Sequence, residues 1–226
     1  MRTLFLLALT TAAATGATAQ QARVDVLIRG GSVVDGTGSP ARPADVGVRA
    51  GKIVFVGETP AGTSALRTIN AAGLTVAPGF IDPHTHTAGD LGSPRRHANL
   101  AYLMQGVTTV MTNNDGGGTI EIGRTLDLWS RQGIGTNAGL YIGQGSVRGN
   151  VMGMAGGPAS PAQLDSMRTL VARAMDQGAM GMSTGLYYAP GSFAETDEVI
   201  ELAKVAAQKG GIYDSHMRDE SSYTIG

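Results

Sequence analysis

Between residues 24 and 73 apolar and polar positions roughly alternate, first in "VDVLIRGGSVVDGTG" and then in "ADVGVRAGKIVFVG". A period of two sends successive side chains to opposite faces, so the alternation predicts short, half-buried strands. Gly30-Gly31 and Ala50-Gly51 break the runs. Residues 20–73 therefore read as a small antiparallel β unit. It is too short to make a good sandwich alone and needs a partner segment or the face of the next domain.

From Leu74 onward, over residues 74–226, the rhythm changes. Apolar strand-like runs ("LTVAPGFIDPH", "GVTTVMTNND", "TNAGLYIGQG", "GAMGMSTG" and "GGIYDSH") alternate with segments of helical period. Strands separated by helices imply βαβ units and a parallel sheet. In "SPAQLDSMRTLVARAMDQG", Ser160 stands as N-cap, Pro161 at the first helical position and Gln163 where a capping box needs it. Leu164, Met167, Leu170, Val171, Ala174 and Met175 then share one face, and Gly178 ends the helix. In "ETDEVIELAKVAAQKGG", Val199, Leu202, Ala203 and Ala206 align in the same way and Gly210 closes the run. Both stripes predict helix faces packed on a sheet.

The strand openings fall near residues 76, 107, 137, 179 and 211, at intervals of 31, 30, 42 and 32 residues, the spacing of a βα repeat. Five such units are visible. A closed (β/α)8 barrel has eight and typically takes about 250 residues, so three more units need roughly 90 further residues. The chain stops at "SSYTIG" with no helix after the fifth strand. The expected fold class is α/β, a partial (β/α)8 TIM barrel behind a small β unit, and the sequence reads as a fragment of that barrel.

Composition agrees: 34 glycines against four phenylalanines and one tryptophan suit many tight strand-to-helix turns better than a helical bundle. At the start, Arg2 precedes an apolar stretch from Leu4 to Ala14, and Ala17 and Ala19 are spaced as in an A-x-A cleavage site. That pattern predicts an export signal over residues 1–19 and a secreted or periplasmic protein. Threonines interrupt the stretch, which argues against a membrane anchor of about 20 continuous apolar residues. Loss of Arg2 moves the formal charge from −1 to −2 and leaves no basic field for nucleic acid. Cysteine is absent, so any metal must be held by nitrogen and oxygen ligands.

Two of the four histidines, His84 and His86, stand one residue apart in "APGFIDPHTHTAGD". In a strand they share a face with a rise of about 6 to 7 Å, which lets two imidazoles converge on one ion. The apolar run before them places the pair at a strand's carboxyl end, where α/β folds bind ligands. Asp115 closes "VTTVMTNND" and His216 closes "GIYDSH". A carboxylate and imidazoles from three strand ends suit zinc or a similar divalent ion. The plainer alternatives are a satisfied core histidine at His216 and an Asx-turn residue at Asp115. His97, in "SPRRHANLAYLMQG", is expected on a helix surface.

The stretches "DVLIRGGSVVDGTGSPARPADVGVRAGKIVFVG", "APGFIDPHTH", "QGVTTVMTNNDGGG", "GAMGMSTGLYYAPGSFA" and "GGIYDSHMRDE" resemble the amidohydrolase superfamily, and within it the N-acyl-D-amino-acid deacylase (D-aminoacylase) family. The resemblance implies a metal-bearing (β/α)8 barrel and a small β-sandwich built from both chain ends, of which residues 20–73 would be the N-terminal half. His84 and His86 are similar to the first-strand ligands and His216 to the fifth-strand ligand. Asp115 stands where the best-known members carry a bridging cysteine in "NCGG", which leaves one or two ions open. Gln144, in "GQGSVR", replaces a common histidine. Tyr188, in "STGLYY", is similar to a tyrosine near the reacting carbonyl, with a packing aromatic as the alternative. The sixth-strand histidine and eighth-strand catalytic aspartate have no counterpart and are expected beyond Gly226.

The implied activity is zinc-dependent hydrolysis of a linear amide, an N-acyl-D-amino acid giving a carboxylate and a free D-amino acid. Arg148 and Arg218 are candidates for holding the carboxylate of this small-molecule substrate. The rivals are a cyclic amidohydrolase of the dihydroorotase or hydantoinase kind, against which the absence of lysine in "GMSTG" counts, and a non-catalytic solute-binding relative. Unpaired first and fifth strands predict poor solubility for the segment alone.

Overall fold

The computed structural model describes residues 23–221, so the export signal read in residues 1–19 lies outside the described residues. The chain divides into two compact units between Pro78 and Gly79. Among the described residues no helix is long and apolar enough to cross a membrane.

The first unit holds β1 (Arg23–Val33), β2 (Arg42–Arg49), β3 (Lys52–Gly57), β4 (Ser64–Asn70) and β5 (Thr75–Val76). They form one sheet in the order β3-β2-β1-β4, with β5 also on β1. The pairs β1/β2 and β2/β3 are antiparallel as the alternation predicts, but β4 and β5 run parallel to β1, which corrects the all-antiparallel expectation. One long strand hosts both: β4 ends its pairing with β1 at Asn70, and the chain turns and returns so that the Ser32 amide donates to the Leu74 carbonyl at 3.0 Å. Gly31 makes the return possible, because a Cβ there would lie 2.5 Å from Val76 Cγ2. Val24, Leu27, Val33 and Val46 are buried while Ile53, Val54, Val56 and Leu66 remain exposed. Among the described residues this unit has a single sheet, without the second layer a sandwich requires.

The run "LTVAPGFID" thus serves two sheets. Thr75–Val76, expected to open the first barrel strand, pairs with β1 instead. Pro78, which has no N–H to donate, separates it from the strand that belongs to the second unit.

That unit contains β6 (Phe80–Asp82), α1 (Ala88–Leu91), α2 (Leu100–Leu103), β7 (Val107–Thr112), α3 (Ile122–Gln132), β8 (Asn137–Gly143), α4 (Gln144–Met152), α5 (Pro161–Asp176), β9 (Gly181–Gly185), α6 (Thr196–Gln208) and β10 (Ile212–His216). The strands are all parallel in the order β10-β9-β8-β7-β6. α5 starts as the sequence predicts: the Gln163 amide donates to Ser160 Oγ at 3.4 Å and the Ser160 amide to Gln163 Oε1 at 2.9 Å, a full capping box. Such a cap is worth about 1 kcal/mol. Met167, Val171 and Ala174 of α5 and Val199, Leu202 and Ala206 of α6 bury their stripes with Val110, Leu140, Ile142 and Met182 of the sheet. His97 departs from expectation, lying in a turn rather than a helix with its Nδ1 2.8 Å from the Gly133 carbonyl oxygen.

The sheet is curled. Laid flat at about 4.8 Å per step, its edge strands β6 and β10 would lie roughly 19 Å apart, more than an imidazole and a carboxylate can span. Yet His84, just past β6, places Nδ1 3.5 Å from Asp214 Oδ2 on β10. A half-barrel that brings its edges together at the carboxyl ends of the strands is what positions the site.

Candidate metal centre

The histidine pair sits just beyond β6, not within it as expected, yet the alternation of faces persists. Thr85 and Thr87 are buried between and after the exposed imidazoles. Thr85 Oγ1 donates to the Met111 carbonyl at 2.6 Å, its amide donates to Asn114 Oδ1 at 3.2 Å, and Thr87 Oγ1 donates to Asn99 Oδ1 at 2.9 Å. The His84 amide is tied to Asp82 Oδ1 at 3.2 Å. With the threonines anchored, both imidazoles face the same side, their centroids 5.6 Å apart and their planes at 68°.

Asp115 arrives from the loop after β7. Asn113, Asp115 and Gly116 have φ of 65°, 57° and 69°, the left-handed region that Asn and Asp tolerate better than most residues. Ser183 Oγ on β9 donates to the Asn113 carbonyl at 2.5 Å and accepts the Gly116 amide at 3.1 Å, which pins the loop. Gly185 allows the close approach, since a Cβ there would lie 2.0 Å from the Asp115 carbonyl oxygen.

His84 Nε2 is 3.3 Å from Asp115 Oδ1 and His86 Nε2 is 3.2 Å from Asp115 Oδ2. One ligand atom from each of the three residues lies within 4.8 Å of the others. Two donors at about 2.0–2.1 Å from one tetrahedral ion are roughly 3.3 Å apart, so the spacing fits a divalent cation. Asp115 Oδ1 is buried with no hydrogen-bond partner. A desolvated carboxylate oxygen without a donor is costly, and a cation relieves that cost. The nitrogen and oxygen donors fit the group the sequence implied.

His216 stands outside this three-residue group. Its Nδ1 is 2.9 Å from the Met217 carbonyl oxygen and its Nε2 is 3.1 Å from Tyr188 Oη. Donation from Nδ1 to the carbonyl leaves Nε2 as acceptor of the tyrosine proton. The two rings pack edge to face at 4.8 Å, with Tyr187 stacked on the histidine at 5.9 Å. Arg218 is exposed and donates to the carbonyls of Ser192 at 3.3 Å and Ala194 at 2.5 Å.

Arg148 corrects its expected role. Its side chain is fully buried, paired with Glu198 and donating to the Gly157 carbonyl at 2.5 Å, so it has no surface to offer a substrate. Gln144 is also buried and donates to Glu198 Oε1 at 2.8 Å.

Two residues passed over in the sequence complete the surroundings. Asp214 lies 3.5 Å from His84 Nδ1, and Asn114 Nδ2 donates to Asp214 Oδ2 at 2.9 Å and to the Pro83 carbonyl at 3.2 Å. Asp214 is two residues before His216 on one strand, which puts both on one face; that periodicity was the available signal. Burial, and then the Asp214 charge, push the Tyr141 phenol above its usual range.

Imidazoles and a carboxylate converging at the carboxyl ends of parallel strands define a metal-competent α/β half-barrel. A model described as "Amidohydrolase family" matches residues 67–226, and the chain belongs to the amidohydrolase family, on its D-aminoacylase branch. It is 35% identical over 224 residues to a D-aminoacylase of Alcaligenes xylosoxydans xylosoxydans, covering 89% of this chain and 46% of that protein. Among solved structures, N-acyl-D-glutamate deacylase from Bordetella bronchiseptica, complexed with zinc and a phosphonate mimic of the tetrahedral intermediate, gives a TM-score of 0.81 at 32% identity, over 88% of this chain and 46% of that one. An L-hydantoinase from Arthrobacter aurescens shares the fold at a TM-score of 0.59 and 22% identity, over 85% and 40% of the two chains. The chain spans about half the length of the curated relatives it matches.

Proposed function

We propose that the protein of which this chain is part hydrolyses linear amides with a divalent metal, zinc by preference, and that its substrates are N-acyl-D-amino acids. The observation that carries the reading is the convergence of His84, His86 and Asp115 around an unpartnered, buried carboxylate oxygen. Kinship with the D-aminoacylase branch supplies the substrate class. A metal held there supplies Lewis acidity, polarising a carbonyl and lowering the pKa of water.

The chain's own residues then take these parts. His84 and His86 present imidazole lone pairs, Asp115 contributes negative charge, and His216 is proposed as a further donor. Tyr188 stands beside a cleft of about 470 Å³ that Asp115, Gly116, Gly149, Pro190 and Gly191 also border. Its hydroxyl is proposed to donate to the oxygen on which charge develops. Apart from Asp115 the cleft lining carries no charged side chain, which suits a neutral acyl group or amino-acid side chain. Arg218 is the remaining candidate for the substrate carboxylate.

The deciding experiment expresses the protein from its whole reading frame and measures bound metal together with hydrolysis of N-acetyl-D-amino acids, N-acetyl-L-amino acids and hydantoins. Metal-dependent release of D-amino acids is expected. Turnover of hydantoins alone moves the assignment to cyclic amides, and metal binding without any turnover moves it to a non-catalytic binder. Export is proposed as well, and an N-terminus at Gln20 on the protein recovered outside the cytoplasm is the result expected.

A further inference from the structure

The ring of His84 lies between two carboxylates, one at each nitrogen: Asp115 Oδ1 is 3.3 Å from Nε2 and Asp214 Oδ2 is 3.5 Å from Nδ1. Only Asp115 belongs to the group of potential metal ligands. Asp214 faces the opposite side of the ring, and its Oδ2 already accepts from Asn114 Nδ2 at 2.9 Å. We infer that Asp214 is the positioning residue of this centre, accepting the Nδ1 proton of His84 so that the Nε2 lone pair is held toward Asp115. The inference rests on reading His84, His86 and Asp115 as a metal centre.

The chemistry follows from the two nitrogens of a neutral imidazole, of which one carries hydrogen and the other a lone pair. A carboxylate at Nδ1 selects the Nδ1–H form and fixes the ring's rotation. The present 3.5 Å is an ion-pair separation that closes to a formed hydrogen bond with a shift of about half an ångström.

The location is as telling as the distance. Asp214 comes from β10 and His84 follows β6, the two edges of the sheet, so the contact also records the curl of the half-barrel. Asn114 braces both sides, reaching Asp214 on one edge and the carbonyl of Pro83 on the other. His84 and Asn114 therefore come from just past β6 and β7, and Asp214 from within β10.

The test uses the protein expressed from its whole reading frame and loaded with zinc. Proton–nitrogen correlation spectra should show His84 metallated at Nε2, with a slowly exchanging Nδ1 proton. Asp214→Ala should weaken zinc binding by about ten- to hundredfold and make that proton exchange rapidly, while thermal stability without metal changes little. Asp214→Asn, which keeps the shape and a carbonyl acceptor, should restore part of the affinity and serves if the alanine variant fails to fold. Zinc affinity within twofold of the original in both variants, or metallation of His84 at Nδ1, would overturn the inference while leaving the metal centre in place. Absence of zinc binding by the unmutated protein would overturn both, and is told apart because no variant is needed to see it.

Discussion

Asp115 and Glu198 are both carboxylates that the half-barrel brings against nitrogen atoms from distant segments, and the fold treats them in opposite ways. Glu198 is buried with a donor on each oxygen, Arg148 Nη1 on one and Gln144 Nε2 on the other. Arg148 is in turn held by the Gly157 carbonyl. Asp115 faces two imidazoles, and its buried Oδ1 has no donor. The first arrangement neutralises a charge internally. The second aims lone pairs at lone pairs, which is stable only with a proton or a cation between them. Being charged and beside a strand end does not mark a residue as functional. An unpartnered buried atom does not do so by itself either, since Gln144 Oε1 and Arg148 Nε are also buried without a partner; what sets Asp115 apart is that two imidazoles converge on its carboxylate.

The largest effect should fall on the internally balanced pair. Glu198→Ala leaves the Arg148 guanidinium buried and unpaired, and should cost about 3–5 kcal/mol in urea unfolding of the metal-free protein. If Glu198→Ala costs less than about 1 kcal/mol, the contrast fails at its structural pole. Replacing the pair together, Arg148→Met with Glu198→Leu, should recover most of the loss, because well-packed apolar side chains often match a buried ion pair. A double variant as unstable as the single one would mean that the charges do more than cancel.

At the other pole the effect should appear in metal affinity and not in stability. Asp115→Asn keeps a residue that tolerates the left-handed backbone at φ 57°. It removes the negative charge between the imidazoles and should weaken metal binding roughly hundredfold, about 2.8 kcal/mol. Unfolding of the metal-free protein should shift by no more than about 0.5 kcal/mol, since no internal donor is lost. A stability loss comparable to that of Glu198→Ala would make Asp115 a structural residue.

The sequence displayed one side of this contrast and concealed the other, for physical reasons. His84, His86 and Asp115 were legible because strand periodicity and the position after apolar runs are local properties. The capping box of α5 and the stripes of α5 and α6 were legible on the same ground. The burial of Arg148 was not, because its partner is 50 residues away on another helix and nothing near Arg148 announces it. Asp214 became significant only through curl, which joins the two sheet edges. Thr75–Val76 suits either sheet by composition, and the close approach that Gly31 permits decided between them.

The smallest expected effect sharpens the comparison where His216 stands between the two poles. Its Nε2 has one lone pair, which accepts the Tyr188 hydroxyl at 3.1 Å, and a lone pair engaged in that way cannot also bind a cation. If His216 is a ligand, metal binding must displace the tyrosine proton. Removing the hydroxyl therefore removes a competitor worth about 1 kcal/mol, the net value of an ordinary hydrogen bond. Tyr188→Phe should tighten metal binding about fivefold in equilibrium titration even as amide hydrolysis falls, a divergence that a packing role for the ring does not produce. Unchanged affinity would place His216 with Glu198, as a side chain satisfied within the protein, and leave His84, His86 and Asp115 to hold the ion without it.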